Sequence, residues 1–236
     1  MTDSAPQADA SRIIRTITGP FEQRVLPVLA RALPDWVTPD MLTVLGMIAS
    51  VVIGLLYGFS GPFPEGLWLI NLLLIVHWYA DSLDGTLARV RKIERPRYGF
   101  FLDHAADSLA ALCICLGLGL SPHMRLGVAL CLLLGYYLMM IQVLLRAYTL
   151  REFKISYGRF GPTELRILLI LVNIGLWIEL RLLVKQTLFT IRGVGFPIFD
   201  VIGIVAAIAL VSVFLGTFLR SLRRLAELEP PGVRRE

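Results

Sequence analysis

Four aspartates at regular spacing are the residues of this chain best suited to chemistry. Asp81 and Asp84 lie three residues apart, and Asp103 and Asp107 lie four apart. On helices, each pair would project from one face, one turn above the other. Both pairs stand at the ends of long apolar runs, where a charge usually serves a function. We therefore expect the two faces to come together as one site with four carboxylates.

Such a cluster predicts a metal site. Neighbouring carboxylates repel one another, and they hold protons unless a counter-charge neutralises them. An all-oxygen ligand set suits a hard divalent cation such as Mg²⁺, Mn²⁺ or Ca²⁺. Small residues beside the aspartates, namely Gly85, Ala88 and Gly99, would let a bulky polyphosphate approach the backbone. Because Arg89 adds a forked donor for phosphate oxygens, the pattern indicates phosphoryl transfer at a membrane surface.

These eight positions together resemble a known family signature. Residues 81–107 read DxxDGxxAR, then nine residues, then GxxxDxxxD, which is similar to the signature of the CDP-alcohol phosphotransferases (CDP-alcohol phosphatidyltransferases). The resemblance implies a pair of Mg²⁺ or Mn²⁺ ions and a CDP-linked donor. It implies metal ligands at Asp81, Asp84, Asp103 and Asp107, with Asp107 also the catalytic base, and CDP-binding residues at Gly85, Ala88, Arg89 and Gly99. The base would deprotonate an acceptor hydroxyl, which attacks the phosphorus distal to cytidine and expels CMP; which carboxylate takes the proton stays open.

Other residues are candidates for acceptor binding or for positioning the ligands. His104 follows Asp103 in a string, AspHisAlaAlaAspSer, that is similar to the choline and ethanolamine phosphotransferase branch, although a structural role is equally compatible. His77, one turn before Asp81, could orient a ligand or find a partner in the core. A basic segment could bind a phosphorylated acceptor, or provide loop charge attracted to lipid headgroups. Its members are Arg146, Arg151, Lys154, Arg159 and Arg166.

Composition places these residues in a membrane protein. The chain is 56% hydrophobic with a mean hydropathy of +0.70, and its apolar runs can cross a hydrocarbon core of about 30 Å. We expect an all-α integral membrane bundle of six transmembrane helices, with the second run continuing helically into the motif. The expected runs are 41–60, 66–80, 98–120, 126–145, 161–178 and 198–218.

The segment before the first run differs in character from the rest. Residues 11–36 mix apolar and basic side chains and contain Pro20 and Pro27, which predicts an interrupted amphipathic helix in the membrane interface, or else a solvated arm. The expected division is therefore an N-terminal cytoplasmic arm (1–36), a six-helix domain (37–220) and a cytoplasmic tail (221–236).

The distribution of basic residues predicts the orientation. Of the 23 Lys and Arg residues, 19 fall on the side of the acidic motif and 4 on the other. Because positive charge is retained inside, both termini and the motif should face the cytoplasm from the inner membrane. The net charge of +5 then indicates contact with anionic headgroups rather than nucleic acid.

Three interpretations of function remain open. The leading one transfers a phosphatidyl group from CDP-diacylglycerol to a small polar alcohol, phosphorylated or not. Within the family, CDP-choline or CDP-ethanolamine with diacylglycerol is the alternative, motivated by His104. The chain could instead be a divalent-cation transporter whose intramembrane aspartates bind the ion. Against this, the other apolar runs carry few polar residues that could line a permeation path. A homodimer is implied by the resemblance alone.

Overall fold

The computed structural model describes residues 11–13, 17–150, 152–154, 161–182, 189–191 and 194–230. This part of the chain forms seven helices and four strands of three residues each. The helices are α1 (Gly19–Ala32), α2 (Pro39–Gly58), α3 (Gly66–Val90), α4 (Pro96–Leu120), α5 (Leu126–Leu150), α6 (Pro162–Leu182) and α7 (Ile198–Leu228). The strands are β1 (Ser11–Ile13), β2 (Glu152–Lys154), β3 (Phe189–Ile191) and β4 (Val194–Phe196). Strand β1 pairs in parallel with β2, and β3 pairs antiparallel with β4. Apart from these short pairs, the predicted all-α class is confirmed.

Five of the described helices are long and apolar enough to cross a membrane, judged by length and composition: α2, α3, α4, α5 and α7. The chain is therefore a multi-pass membrane protein, as predicted. Helix α6 has 21 residues, which is long enough to span at about 1.5 Å per residue, but it includes four charged residues. These are Glu164, Arg166, Glu179 and Arg181. The predicted count of six spans is not confirmed.

The helices begin where the local sequence favours a start. Thr38 precedes α2, and its side-chain oxygen accepts a hydrogen bond from the Met41 N–H at 3.3 Å. Pro39 follows at the first helical position, where the missing N–H leaves no helical bond unmade. Helix α3 runs without a break from the second apolar run into the acidic motif, as expected. Helix α7 continues ten residues beyond the expected end at Phe218.

The N-terminal helix differs from the prediction over residues 11–36. The first residues of that range form β1, and α1 starts only at its glycine. Pro20 lies in the first turn of α1, where proline favours a helix start rather than an interruption, and the helix continues through Pro27. Leu26 and Ala30 are buried in a cluster with residues of α3. This element therefore has one packed face, and its start was predicted too early.

Glycines set the closest approach between two helices. A Cβ at Gly54 of α2 would lie 2.4 Å from the carbonyl oxygen of Cys113 in α4. A Cβ at Gly117 of α4 would lie 2.2 Å from the carbonyl oxygen of Gly54. Real side chains cannot fit at such distances, so small residues are required for these backbones to meet. The contact holds α4 against α2, while α2 also packs on α3.

A buried chain of amide and hydroxyl groups joins three helices. The Tyr57 hydroxyl of α2 donates to Oδ1 of Asn173 in α6 at 2.8 Å. Asn173 in turn donates through Nδ2 to Oδ1 of Asn71 in α3 at 2.8 Å. Because Arg166 lies seven residues, or two turns, before Asn173, both project from the same face of α6. The network therefore turns Arg166 toward α3.

Candidate active site

The turn between α3 and α4 brings the two acidic pairs to one end of the protein. Helix α3 ends in a Schellman arrangement, in which the Ile93 N–H bonds to the Ala88 carbonyl and the Lys92 N–H to the Arg89 carbonyl, at 3.0 and 3.1 Å. Lys92 takes the left-handed conformation, with a φ of 58°. Helix α4 then starts at Pro96 and runs back along the bundle.

Three of the four predicted metal carboxylates meet. Asp81 of α3 and Asp103 and Asp107 of α4 each offer a carboxylate oxygen, and these oxygens lie within 4.8 Å of one another. All three side chains are half-buried. The predicted convergence of two helical faces is therefore present for these residues.

Asp84 lies beside this group but is held separately. Its Oδ2 accepts a hydrogen bond from Oγ1 of Thr43 in α2 at 2.7 Å, and its Oδ1 accepts one from the Gly85 N–H. Asp84, Asp81 and Asp107 line one cavity. Thr43 therefore fixes the rotamer of Asp84 at the edge of the cluster.

A basic side chain reaches the cluster from a third helix. Nη2 of Arg166 donates to Oδ2 of Asp81 at 2.8 Å. Only 13% of the Arg166 side chain and 25% of the Asp81 side chain are exposed, so this ion pair is poorly screened by solvent. Arg166 thus places one positive charge directly beside Asp81.

The predicted CDP-binding positions surround an open surface. A Cβ at Gly99 would meet no atom within 4 Å, and one at Gly85 would meet Nη1 of Arg89 at 3.5 Å. Ala88 is half-buried, and Arg89 is exposed. Nη2 of Arg89 donates to Oγ1 of Thr86 at 3.0 Å. The small residues therefore leave room beside the arginine, as a large polar ligand requires.

His104 turns toward its own helix. Its Nδ1 lies 2.9 Å from the Phe100 carbonyl oxygen and 3.6 Å from Oδ2 of Asp103. The imidazole also packs on the Phe100 ring, with the centroids 4.2 Å apart. In this arrangement Nδ1 contacts residues of its own helix, α4.

The other predicted acceptor residues are only partly described. Arg146 is half-buried in the last turns of α5. Arg151, Arg159 and the side chain of Lys154 lie outside the described residues.

Sequence reasoning missed several contacts that position residues around the site. Thr43 is separated from Asp84 by 41 residues, and its hydroxyl gives no sign in the sequence of the carboxylate it binds. Arg91 donates to four backbone carbonyls of the α1–α2 linker, including those of Leu33 at 3.0 Å and Pro34 at 2.9 Å. The sequence does not predict these bonds, because the backbone carbonyls that accept them cannot be identified from residue types.

Asp40 also has a partner that its position did not predict. It forms an ion pair with Arg95 and accepts a hydrogen bond from the Tyr98 hydroxyl at 3.4 Å. The bond to Asp40 raises the pKa of the Arg95 guanidinium. The Arg95 guanidinium lies 4.0 Å from the centroid of the Tyr98 ring. These contacts join the start of α2 to the start of α4, next to the acidic cluster.

The donor set fits a divalent cation. Oxygens bound to one ion at about 2.1–2.5 Å lie at most about 4–5 Å apart, and the three carboxylate oxygens satisfy this limit. Carboxylate oxygens suit Mg²⁺ and Mn²⁺ better than softer metals. Asp81, Asp103 and Asp107 would hold the ion, with Asp84 beside them.

Fold and site together define a multi-pass helical membrane protein with an acidic centre at the meeting ends of two spans. The sequence model of the family described as CDP-alcohol phosphatidyltransferase matches residues 36–211. The chain belongs to this family of transferases of phospholipid biosynthesis.

Curated proteins of this family resemble part of the chain. A phosphatidylinositol phosphate synthase of Cutibacterium acnes is 35% identical over 95 residues, which are 40% of this chain and 43% of the relative. An archaetidylinositol phosphate synthase of Pyrococcus horikoshii is 31% identical over 103 residues, 43% and 51% of the two chains. Cholinephosphotransferase 1 of Danio rerio is 27% identical over 107 residues, 40% and 28%. The chain thus spans about half or less of these relatives.

Solved structures share the fold. The phosphatidylinositol phosphate synthase of Mycobacterium tuberculosis with CDP-DAG bound superposes with a TM-score of 0.58 at 23% identity, covering 90% of this chain and 98% of that one. The same enzyme in complex with manganese and citrate gives a TM-score of 0.54 at 23% identity, with 93% of each chain covered. At this identity, the likeness concerns the arrangement of helices.

Proposed function

We propose that the chain transfers a phosphatidyl group from CDP-diacylglycerol to the hydroxyl of a small polar alcohol and releases CMP. The single observation that carries this proposal is the meeting of Asp81, Asp103 and Asp107 within 4.8 Å, in the halves of α3 and α4 that adjoin their connection. Family membership supports the reaction class, and the CDP-DAG bound to the Mycobacterium tuberculosis enzyme supports the donor.

Each side chain has a separate task in this proposal. Asp107 accepts the proton of the acceptor hydroxyl, the hydroxyl oxygen forms a bond to the phosphorus distal to cytidine, and the bond from that phosphorus to the CMP oxygen breaks. Arg89 binds phosphate oxygens of the donor beside the open surface at Gly85 and Gly99. A pair of Mg²⁺ or Mn²⁺ ions held by the four aspartates would neutralise the phosphates and the charge on the leaving CMP.

Arg166 favours an acceptor that carries its own phosphate. Its guanidinium lies 2.8 Å from Asp81, so an anionic group bound to it would be adjacent to the reacting phosphorus. An arginine fork recognises phosphate well. A phosphorylated polyol fits this arrangement better than diacylglycerol, which offers no anion. Arg146, Arg151, Lys154 and Arg159 would extend the same basic surface.

The alternatives have weaker support. CDP-choline or CDP-ethanolamine with diacylglycerol was suggested by His104, whose Nδ1 contacts Phe100 and Asp103, and by the likeness to cholinephosphotransferases. A cation transporter would need polar groups along the bundle. The buried Tyr57, Asn71 and Asn173 bond to one another instead.

The membrane arrangement is part of the proposal. Helix α6 would be the sixth span, α1 would lie in the interface beside anionic headgroups, and both termini and the acidic centre would face the cytoplasm from the inner membrane. The arm, domain and tail would then occupy residues 1–36, 37–220 and 221–236, and two copies would form a homodimer.

A phosphatase that is active only outside the cytoplasm, and a fluorescent reporter, each fused to the C-terminus, test the orientation. Phosphatase activity of the C-terminal fusion would contradict a cytoplasmic C-terminus.

Activity of the purified full chain tests the chemistry. With CDP-diacylglycerol, a polyol phosphate and Mn²⁺ or Mg²⁺, we expect CMP release that a chelator abolishes. Asp107→Asn should reduce turnover by about 10²-fold or more, because general-base contributions reach about 10²–10⁴-fold, while the unfolding temperature stays close to that of the parent. Unchanged turnover in Asp107→Asn would remove the base assignment.

A substrate panel separates the acceptor classes. CDP-diacylglycerol is offered with free and phosphorylated polyols, and CDP-choline and CDP-ethanolamine are offered with diacylglycerol. Arg166→Gln should raise the KM for a phosphorylated polyol more than for a free one. A preference for CDP-choline with diacylglycerol would replace the leading proposal by its alternative.

A further inference from the structure

His77 is a buried histidine in the wall of the cavity that Asp81, Asp84 and Asp107 also line. Only 6% of its surface is exposed, and its Nδ1 atom has no hydrogen-bond partner among the described residues. A buried polar atom without a partner destabilises the folded state, because it loses its hydrogen bonds to water. Such an atom therefore points to a ligand that the cavity accommodates.

The cavity is suited to a single water molecule. The space open to the centre of a water-sized sphere is about 10 Å³, close to the minimum for one ordered water. Polar partners for that water are close by, since Thr43 and the three aspartates line the same space. A buried water typically makes about three hydrogen bonds, and the remaining wall, formed by Gly46, Met47 and Ala106, offers apolar surface.

The position of His77 on α3 places it next to the acidic group. It precedes Asp81 by four residues and Asp84 by seven, so the three side chains project from one face of the helix. Asp81 is already held on one side by Arg166. A contact from His77 would restrain the cluster on another side.

We propose that this cavity holds one water molecule, hydrogen bonded to Nδ1 of His77 and to the carboxylates, and that His77 thereby positions the aspartates for the cation. The inference rests on the proposed function, because it requires that the acidic group binds a divalent ion. His77 acts through the water and the carboxylates, so it is a positioning residue. Residues that support metal ligands in this way typically contribute about 10–100-fold in metal affinity.

Mn²⁺ binding by the purified full chain tests the inference without relying on turnover. Free Mn²⁺ is followed by electron paramagnetic resonance during a titration. His77→Phe keeps an aromatic ring but removes both ring nitrogens. It should raise the Kd for Mn²⁺ by about 10–100-fold. His77→Asn places an amide atom near the position of Nδ1 and should recover most of the affinity.

His123 provides a matched control. It is also 6% exposed, and its Nε2 has no hydrogen-bond partner within the described part of the chain, but it lies in the α4–α5 connection at the other end of α4. His123→Phe should leave the Kd unchanged. If His77→Phe also leaves the Kd within about twofold, the positioning role is wrong.

Two further outcomes separate this inference from the proposed function. Absence of Mn²⁺ binding in the parent protein would overturn both. If His77→Phe does not fold, His77→Asn and His77→Gln decide the question, since glutamine moves the polar atom by one bond and should bind Mn²⁺ about tenfold more weakly. Equal affinities in these two variants would overturn the positioning role alone.

Discussion

An alanine at Gly54 tests whether the close contact of α2 and α4 sets the geometry of the acidic centre. The new Cβ would lie 2.4 Å from the carbonyl oxygen of Cys113 and 3.0 Å from its carbonyl carbon. Relaxed carbon–oxygen contacts are about 3.3–3.6 Å. Because the atoms that would be met belong to the backbone of α4, no side-chain rotation can relieve the overlap. The two helices must separate by about 1 Å.

The expected size of the effect follows from this displacement. Overpacking of this kind costs about 1–3 kcal/mol, which for a chain of this length lowers Tm by roughly 2–12 °C at about 2–4 °C per kcal/mol. Asp107 lies on α4, so a shift of this helix moves it relative to Asp81 on α3. Misplacement of a reacting group by about 1 Å can cost about 10²-fold in rate. We expect Gly54→Ala to lose both stability and turnover.

Thermal unfolding and CMP release measure the two effects. Gly58→Ala is the matched control, because it lies in the same helix and a Cβ there would meet no atom within 4 Å. That variant should stay within about 0.5 kcal/mol of the parent and keep its activity. Equal unfolding temperatures and equal turnover in Gly54→Ala and Gly58→Ala would refute the reasoning.

Two further predictions concern contacts around the site. Thr43→Val removes the hydroxyl that bonds to Asp84 and should raise the Kd for Mn²⁺ by about 10–100-fold, with Thr43→Ser recovering most of the affinity; an unchanged Kd in a titration would contradict this. Arg91→Ala removes the donors to the four carbonyls of the linker 33–37 and should lower the free energy of unfolding by about 1–3 kcal/mol. Arg91→Lys should recover less than half of it, because one ammonium cannot span four acceptors, and full recovery there would count against this interpretation.

Local spacing was sufficient to predict the two acidic pairs and the helices that carry them. Each pair lies within one helix, α3 or α4, so its spacing of three or four residues places both side chains on the same helix face. The connection between these helices is short, so their ends had to meet at one side. For this reason the sequence alone predicts that Asp81, Asp103 and Asp107 converge.

Contacts between distant segments could not be predicted in the same way. Thr43 meets Asp84 across 41 residues, and Arg166 meets Asp81 across 85. Each pairing depends on the rotation and register of two packed helices, which hydropathy does not determine. The start of α1 was misjudged for a local reason, because Pro20 fits the first turn of a helix as well as it interrupts one.

Helix α6 is less apolar than the five helices that are long and apolar enough to cross a membrane. Its charged residues lower its apolar character, but three of them have defined partners. Glu164 accepts a hydrogen bond from the Gly161 N–H at 2.9 Å, Arg166 bonds to Asp81, and Arg181 pairs with Glu65 near the start of α3. Arg166 and Arg181 lie near opposite ends of α6, so α6 follows α3 for most of its length. Two of the charged residues that make α6 less apolar, Arg166 and Arg181, therefore also pair it with α3 and with the residue before α3, and Arg166 reaches the acidic cluster.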